Sequence, residues 1–180
     1  MAMQFDASKF KELVLYVAEK SADDPSFGAT KLNKTLFFSD FYAYGELGKP
    51  MTGATYQKLD RGPAPRELPS IQQQLQEEGA AAVFERSHFN YLQKRLLPLR
   101  PADLSQFSPQ EVALVDEVIE ALKYHTALEV SRVSHAKVLG WQLAGEREEI
   151  PYQSVFLSSE PPTPTDIKRG RELAKEHGWL

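Results

Sequence analysis

Residues Thr30 to Tyr44 read as a helix whose apolar side chains, Leu32, Leu36, Phe37, Phe38, Phe41, Tyr42 and Tyr44, are spread around most of its circumference. A helix of that kind has no face to turn toward water, so it must run through the middle of a domain. The other elements are then expected to wrap around it. Gly45 and Gly48 are available to end it, since glycine adopts the left-handed conformation favoured at helix C-termini.

Those other elements have their own signals. Phe10, Leu13, Val14 and Val17 fall at i, i+3, i+4 and i+7 and predict a helix over about Ser8 to Lys20. After the central helix, Ala54 to Leu59 reads as a short strand, and Gly62-Pro63-Ala64-Pro65 as a stiff, extended loop, because proline and the residue before it avoid helical angles. Leu68, Ile71 and Leu75 mark a third helix stopped at Gly79. Ala81 to Arg86 and Tyr91 to Leu97 form the arms of a hairpin over Ser87-His88-Phe89-Asn90. Ser108, Pro109 and Glu111 make a capping box with proline at the first helical position, ahead of a stripe of Val112, Val115, Ile119 and Leu122. Thr126 and Glu129 repeat the box, so a fresh helix runs from there to about Val133, with Ser134-His135 at the corner behind it. A Ser/Pro linker, Ser158 to Pro162, leads to a last helix from Thr163-Pro164 to near His177.

The expectation is a mostly helical α+β fold: about six helices around the buried central one, with one small antiparallel sheet made from Ala54–Leu59 and the Ala81–Leu97 hairpin. The chain of 180 residues is read as one domain, with a core over about 8–152 and a C-terminal helix over about 163–177.

Composition narrows the chemistry. There is no cysteine, which removes disulfides and thiolate metal sites. No apolar run approaches the ~20 residues that cross a bilayer, and the opening residues turn polar too early for a secretory leader, so a cytoplasmic protein with no membrane partner is expected. The formal net charge of -4 gives no general attraction to phosphate, and nucleic acid is not an expected partner. The four histidines, His88, His125, His135 and His177, stand singly without metal-ligand spacing, and no cofactor is indicated. Ser134 and His135 are neighbours, but adjacent helical residues diverge by roughly 100° and do not make a nucleophile–base pair. A capping serine and a hydrogen-bonded histidine at the corner is the plainer reading.

Two constellations stay open on the residues alone. Lys31 and Lys34 lie one turn apart, and Lys58, Arg61 and Arg66 frame the Gly-Pro loop; if the loop folds over the helix, five cations share one side of an acidic protein. Solubilising charges scattered over the surface explain the same residues. A small enzyme acting on a nucleotide or nucleic acid would need His135, Tyr56, Lys31 and Lys34 around one open cavity. A helix-turn-helix repressor at the corner between the capped helices lacks clustered basic residues.

The order of motifs resembles one family. Lys31-Leu32-Asn33-Lys34-Thr35-Leu36-Phe37-Phe38-Ser39-Asp40, Lys49-Pro50-Met51-Thr52-Gly53, Tyr56-Gln57-Lys58-Leu59 and Gly62-Pro63-Ala64-Pro65 are similar to the Panacea domain, or SocA-like antitoxin domain. Phe107 to Glu111, Ser134-His135, Gly140-Trp141 and Ile150-Pro151-Tyr152 resemble its C-terminal half. Ala64 departs from the β-branched residue expected between the prolines.

The resemblance implies an antitoxin of a bacterial or phage toxin–antitoxin pair that neutralises a cognate protein toxin by direct binding, without catalysis. One branch of the family instead hands its toxin to a cytoplasmic protease. Lys31, Leu32, Lys34, Thr52, Gly53, Tyr56, Gly62, Pro63, Pro65, Ser134, His135, Trp141, Pro151 and Tyr152 are the motif positions, assigned mainly to maintaining the fold. Partner contacts are expected outside them, at Lys58, Arg61, Arg66, Phe89 and Tyr91.

Overall fold

Helix α1 (Ala7–Lys20) begins where the Asp6 side chain accepts the Lys9 amide at 2.9 Å, the bond an N-cap supplies. The expected stripe of Phe10, Leu13, Val14 and Val17 is wholly buried, and so are Leu15, Tyr16 and Ala18 on the flanks. The wider burial follows from position, because α1 packs against several elements at once. In the computed structural model, which describes residues 3–88, 91–176 and 178, helix α2 (Ala29–Leu47) occupies the centre. It outruns the expected end at Tyr44 by a turn: Gly45 stays helical, and Gly48, at φ 76°, returns its amide to the Tyr44 carbonyl.

Strands β1 (Tyr56–Leu59) and β2 (Gly62–Pro65) pair antiparallel, with Pro65 opposite Tyr56 and Pro63 opposite Lys58. The segment read as an unpaired loop is therefore a strand. Its two prolines cost no ladder bonds because the backbone groups of Tyr56 and Lys58 face the other edge: Lys58 donates to the Glu148 carbonyl at 3.0 Å, and Ile150 donates to that of Tyr56 at 2.8 Å. Proline at i and i+2 fits a strand bonded at every second residue.

Helix α3 (Leu68–Glu77) buries Leu68, Ile71 and Leu75, as their spacing predicts. It ends with Gly79 at φ 67° and the Ala80 amide on the Leu75 carbonyl at 2.8 Å, a Schellman stop. Strands β3 (Ala81–His88) and β4 (Tyr91–Pro98) pair from Ala81↔Pro98 to His88↔Tyr91, so the ladder runs through Ser87 and His88. Phe89 and Asn90 lie outside the described residues, as do the side-chain details of Tyr91.

The single sheet expected from β1 and the hairpin does not form; each pair is a separate two-stranded sheet. The physical reason is that residues 147–150 occupy the free edge of β1 and leave it no side for β3 or β4.

Helix α4 (Pro109–Lys123) has the full capping box, with Ser108 accepting the Glu111 amide and Glu111 accepting that of Ser108 at 2.8 Å. Its buried face adds Leu114 and Val118 to the expected Val115 and Ile119. Helix α5 (Ala127–Lys137) starts at the second box, Thr126 with Glu129, but continues past Val133 and takes in Ser134 and His135. The chain leaves helical angles only at Val138, before the short α6 (Leu139–Leu143). A 3-10 helix over Tyr152–Phe156 closes the core, and α7 (Pro164–Glu176) follows the linker with none of its described side chains buried. Around α2 the fold is α+β and mostly helical, with seven α-helices among the described residues; α6 is the one the sequence did not announce.

Candidate functional site

The family-like positions fall into three polar clusters within the apolar core. The first gathers on Asp40, fully buried on α2. Its carboxylate accepts the Thr52 amide at 2.9 Å, the Thr52 hydroxyl at 2.5 Å and the Tyr56 hydroxyl at 2.8 Å. Burial pushes the Asp40 carboxyl above its usual range, and those donors pull it back. Burial likewise pushes the Tyr56 phenol well up. Tyr152 donates to the Ala54 carbonyl at 2.7 Å, and Gly53, at φ 67°, brings its α-carbon against the Gln4 carbonyl where a Cβ would stand at 2.5 Å. Thr52, Gly53, Tyr56 and Tyr152 thus weld the loop after α2 to the helix and to the N-terminal segment. Tyr56→Phe, which removes the one hydroxyl shared between the buried Asp40 carboxylate at 2.8 Å and the Leu36 carbonyl at 2.9 Å, is expected to cost about 1–3 kcal/mol, read from the urea midpoint.

Lys31 builds the second cluster. The residue is 1% exposed, and its ammonium pairs with buried Asp24 and donates to the carbonyls of His125 at 2.8 Å and Lys123 at 3.3 Å. A cation there meets the negative end of α4 and ties it to the start of α2. Leu32 beside it is core.

The third cluster joins α2, the β1–β2 turn, α5 and α6. Lys34, also 1% exposed, donates to the Pro63 carbonyl at 3.1 Å. Burial lowers its pKa to about 7. Gly62, at φ 105°, makes room for it: a Cβ there would stand 2.6 Å from Lys34 Nζ and 2.9 Å from Ser134 Oγ. Ser134 donates to the Ser131 carbonyl at 2.9 Å inside α5, so it is not a cap. His135 stacks on Trp141 with ring centroids 4.0 Å apart and planes 3° from parallel. The expected hydrogen bond at His135 is made with the Arg61 backbone, the Trp141 stack holds the ring as well, and Nε2 is buried without a partner among the described residues. Burial lowers the His135 pKa, and the charges of Lys34 and Lys58 push it the same way. Trp141 donates its indole N–H to the Leu59 carbonyl at 3.1 Å, with Lys58 Nζ 4.5 Å above its ring.

The four side chains an enzyme reading needed do not share a cavity. Lys34 lines a cleft of about 380 Å³; Lys31 serves the end of α4 and Tyr56 the Asp40 cluster. The five-cation surface also fails to form, because Lys31 and Lys34 are inside the protein. Lys58 rests on the Ala144 carbonyl at 2.9 Å, and Arg66 on that of Arg147 at 2.9 Å. Of the expected partner contacts, Arg61 and Arg66 are exposed, while Phe89 lies outside the described residues. Pro65 is buried opposite Tyr56, and Pro151 opens the 3-10 helix from an exposed position.

Asp40 and Asp24 were not singled out from the sequence. The signal for Asp40 was there: a carboxylate in a helix apolar on most sides has nowhere to reach water. For Asp24 no local pattern separates it from Asp23 next door, which is exposed.

Between α2, α4, α5 and the 3-10 helix lies an apolar groove of about 310 Å³, lined among others by Phe38, Tyr42, Leu122, Val133, Val155 and Leu157. Among the described residues no group of three or more acidic or histidine side chains could hold a metal ion, and no helix is long and apolar enough to cross a membrane.

No curated protein and no solved structure matches the chain. A family model does, over residues 32–142, which takes in Lys34, Thr52, Tyr56, Gly62, Ser134, His135 and Trp141 but ends before Tyr152. Matched over more than half its length by the model described as antitoxin SocA-like, Panacea domain, the chain belongs to that family.

Proposed function

We propose that this protein is an antitoxin that neutralises a cognate toxin by binding it directly, with no catalysis of its own. The family match over residues 32–142 carries the reading. The clusters around Asp40 and Lys31 support it, since their polar groups are spent on holding elements together. The apolar groove supports it too: Tyr42, Val133 and Leu157 are exposed along it, and contiguous apolar surface is what protein interfaces bury. Lys58, Arg61, Arg66, Phe89 and Tyr91 are proposed as further partner contacts. An interface of standard size, about 1,200–2,000 Å² in total, suffices for tight masking.

Co-expression with the neighbouring open reading frame tests this. The expected result is a neighbour that arrests growth alone, growth restored by this chain, and co-purification of the two with the toxin level unchanged. Restored growth with a falling toxin level would replace masking by delivery to a protease. A neighbour that is harmless alone, or lethal despite this chain, overturns the antitoxin reading.

A further inference from the structure

The cleft beside Lys34 holds more positive charge than the fold itself uses. Its floor is the start of α2, where Ala29, Thr30 and Asn33 line the wall. The N-cap is Gly28, which supplies no side-chain acceptor, and the first turn of this 19-residue helix borders the cleft. Lys34 lines the same space and, although 1% exposed, has no carboxylate partner among the described residues; its only acceptor there is the Pro63 carbonyl. A buried ammonium with one neutral acceptor is costly, and proteins normally supply it a counter-charge, as Asp24 does for Lys31.

Two further cations stand at the rim. Arg61 and Arg147 line the cleft, and neither guanidinium forms an ion pair among the described residues. Arg147 is held at φ 58°, an unusual backbone conformation for a residue with a side chain, fixed by its amide on the Lys58 carbonyl at 2.9 Å and by Arg66 on its own carbonyl. The carboxylates of Asp60 and Glu146 also line the cleft. With Lys34 protonated, three cations stand against two carboxylates, an excess of one charge, on groups brought together from α2, the β1–β2 turn and the 147–150 segment. Gly62 lets the β1–β2 turn close directly on Lys34, since a Cβ there would stand 2.6 Å from Nζ.

The geometry points to an anion site for a phosphate-class ligand, the phosphate group of a small phosphorylated molecule, with Lys34 as the buried charge and Arg61 and Arg147 closing over it. Phosphate fits better than a carboxylate because its three terminal oxygens can accept from the lysine and two arginines together, and because an anion held beside Lys34 favours its protonated form. The volume, about 380 Å³, exceeds by more than tenfold the roughly 30 Å³ share of one water, so a phosphorylated small molecule fits where a halide would be loose. The lowered pKa of Lys34 is consistent with an ammonium lacking its counter-ion. The site does not rest on the antitoxin reading, but it shares Arg61 with the proposed partner contacts, so phosphate binding and toxin binding are measured separately.

Titration of the full-length chain with inorganic phosphate, pyrophosphate and adenosine 5′-monophosphate, against chloride at matched ionic strength, tests it by calorimetry and amide chemical shifts. Saturable binding is expected, with shifts concentrated at Ala29, Thr30, Arg61 and Gly62. Arg61→Gln and Arg147→Gln, both exposed and remote from the core, are each expected to weaken binding about tenfold. Lys34→Met is expected to abolish it with the fold retained; should that variant unfold, the rim variants still decide. Absence of saturable binding for all three probes overturns the proposal. So does binding unaltered in the Arg61→Gln/Arg147→Gln double variant, or shifts that map elsewhere.

Discussion

Asp24→Ala is expected to destabilise the protein by about 3–5 kcal/mol, because it leaves the Lys31 ammonium charged, buried and without its carboxylate. Against a total stability of roughly 5–15 kcal/mol for an ordinary domain, that populates the unfolded state visibly in mild denaturant. Lys31→Met is expected to cost less. The carboxylate it strands still accepts the Ser26 amide at 2.9 Å, and the carbonyls of Lys123 and His125 lose a donor without gaining a buried charge. The double variant Asp24→Ala/Lys31→Met is expected to recover a large part of the loss, since charge and partner leave together. Urea unfolding of the four proteins checks this. If the double variant is as unstable as Asp24→Ala alone, the pair is not coupled and the cluster does not act as described. The Arg95 guanidinium, which binds the Asp24 carbonyl at 2.9 Å and the Ser21 carbonyl at 3.0 Å, holds the turn through backbone and survives both substitutions.

What the sequence made legible is what short-range physics decides. The all-round apolar pattern of α2 predicted its central place, both capping boxes start their helices where Ser108 and Thr126 stand, and Gly48 and Gly79 terminate helices at positive φ. The misreadings come from partners distant in the chain. Gly62-Pro63-Ala64-Pro65 looks like a loop until β1 lies beside it and residues 147–150 take the opposite edge, which makes the prolines harmless. Helix α5 runs past the expected end near Val133 because nothing there breaks a helix, and Ser134 turns its hydroxyl back on the Ser131 carbonyl inside it. At the site, periodicity placed Lys31 and Lys34 one turn apart but carried no sign that both are buried. That fact is set by α4 on one side and the β1–β2 turn on the other. It splits two similar lysines into a paired structural cation and one without a counter-charge.

That second lysine carries the other large effect, an increase of stability with pH that Lys34→Met is expected to remove. Burial holds the Lys34 pKa near 7 in the folded protein, against an ordinary value near 10.5 that applies once the chain unfolds. Below about pH 7 the group is charged in both states, and the cost of a buried ammonium is fully present. Between about pH 7 and pH 10 the unfolded chain binds a proton that the folded one does not, so stability rises with pH across that window, by roughly 3–5 kcal/mol in all. The groups facing Lys34 leave the window clear. His135, lowered by its burial and by the charges of Lys34 and Lys58, lies below it. The buried phenols of Tyr16, Tyr56 and Tyr152 are raised, so they act in the opposite sense only above about pH 10, where the unfolded chain ionises first. Urea midpoints at about pH 6.5, 8 and 9.5 are expected to climb for the natural chain and stay level for Lys34→Met, which should be the more stable of the two at about pH 6.5. Equal slopes in the two proteins would show that Lys34 keeps its proton throughout and that some other group sets the pH dependence.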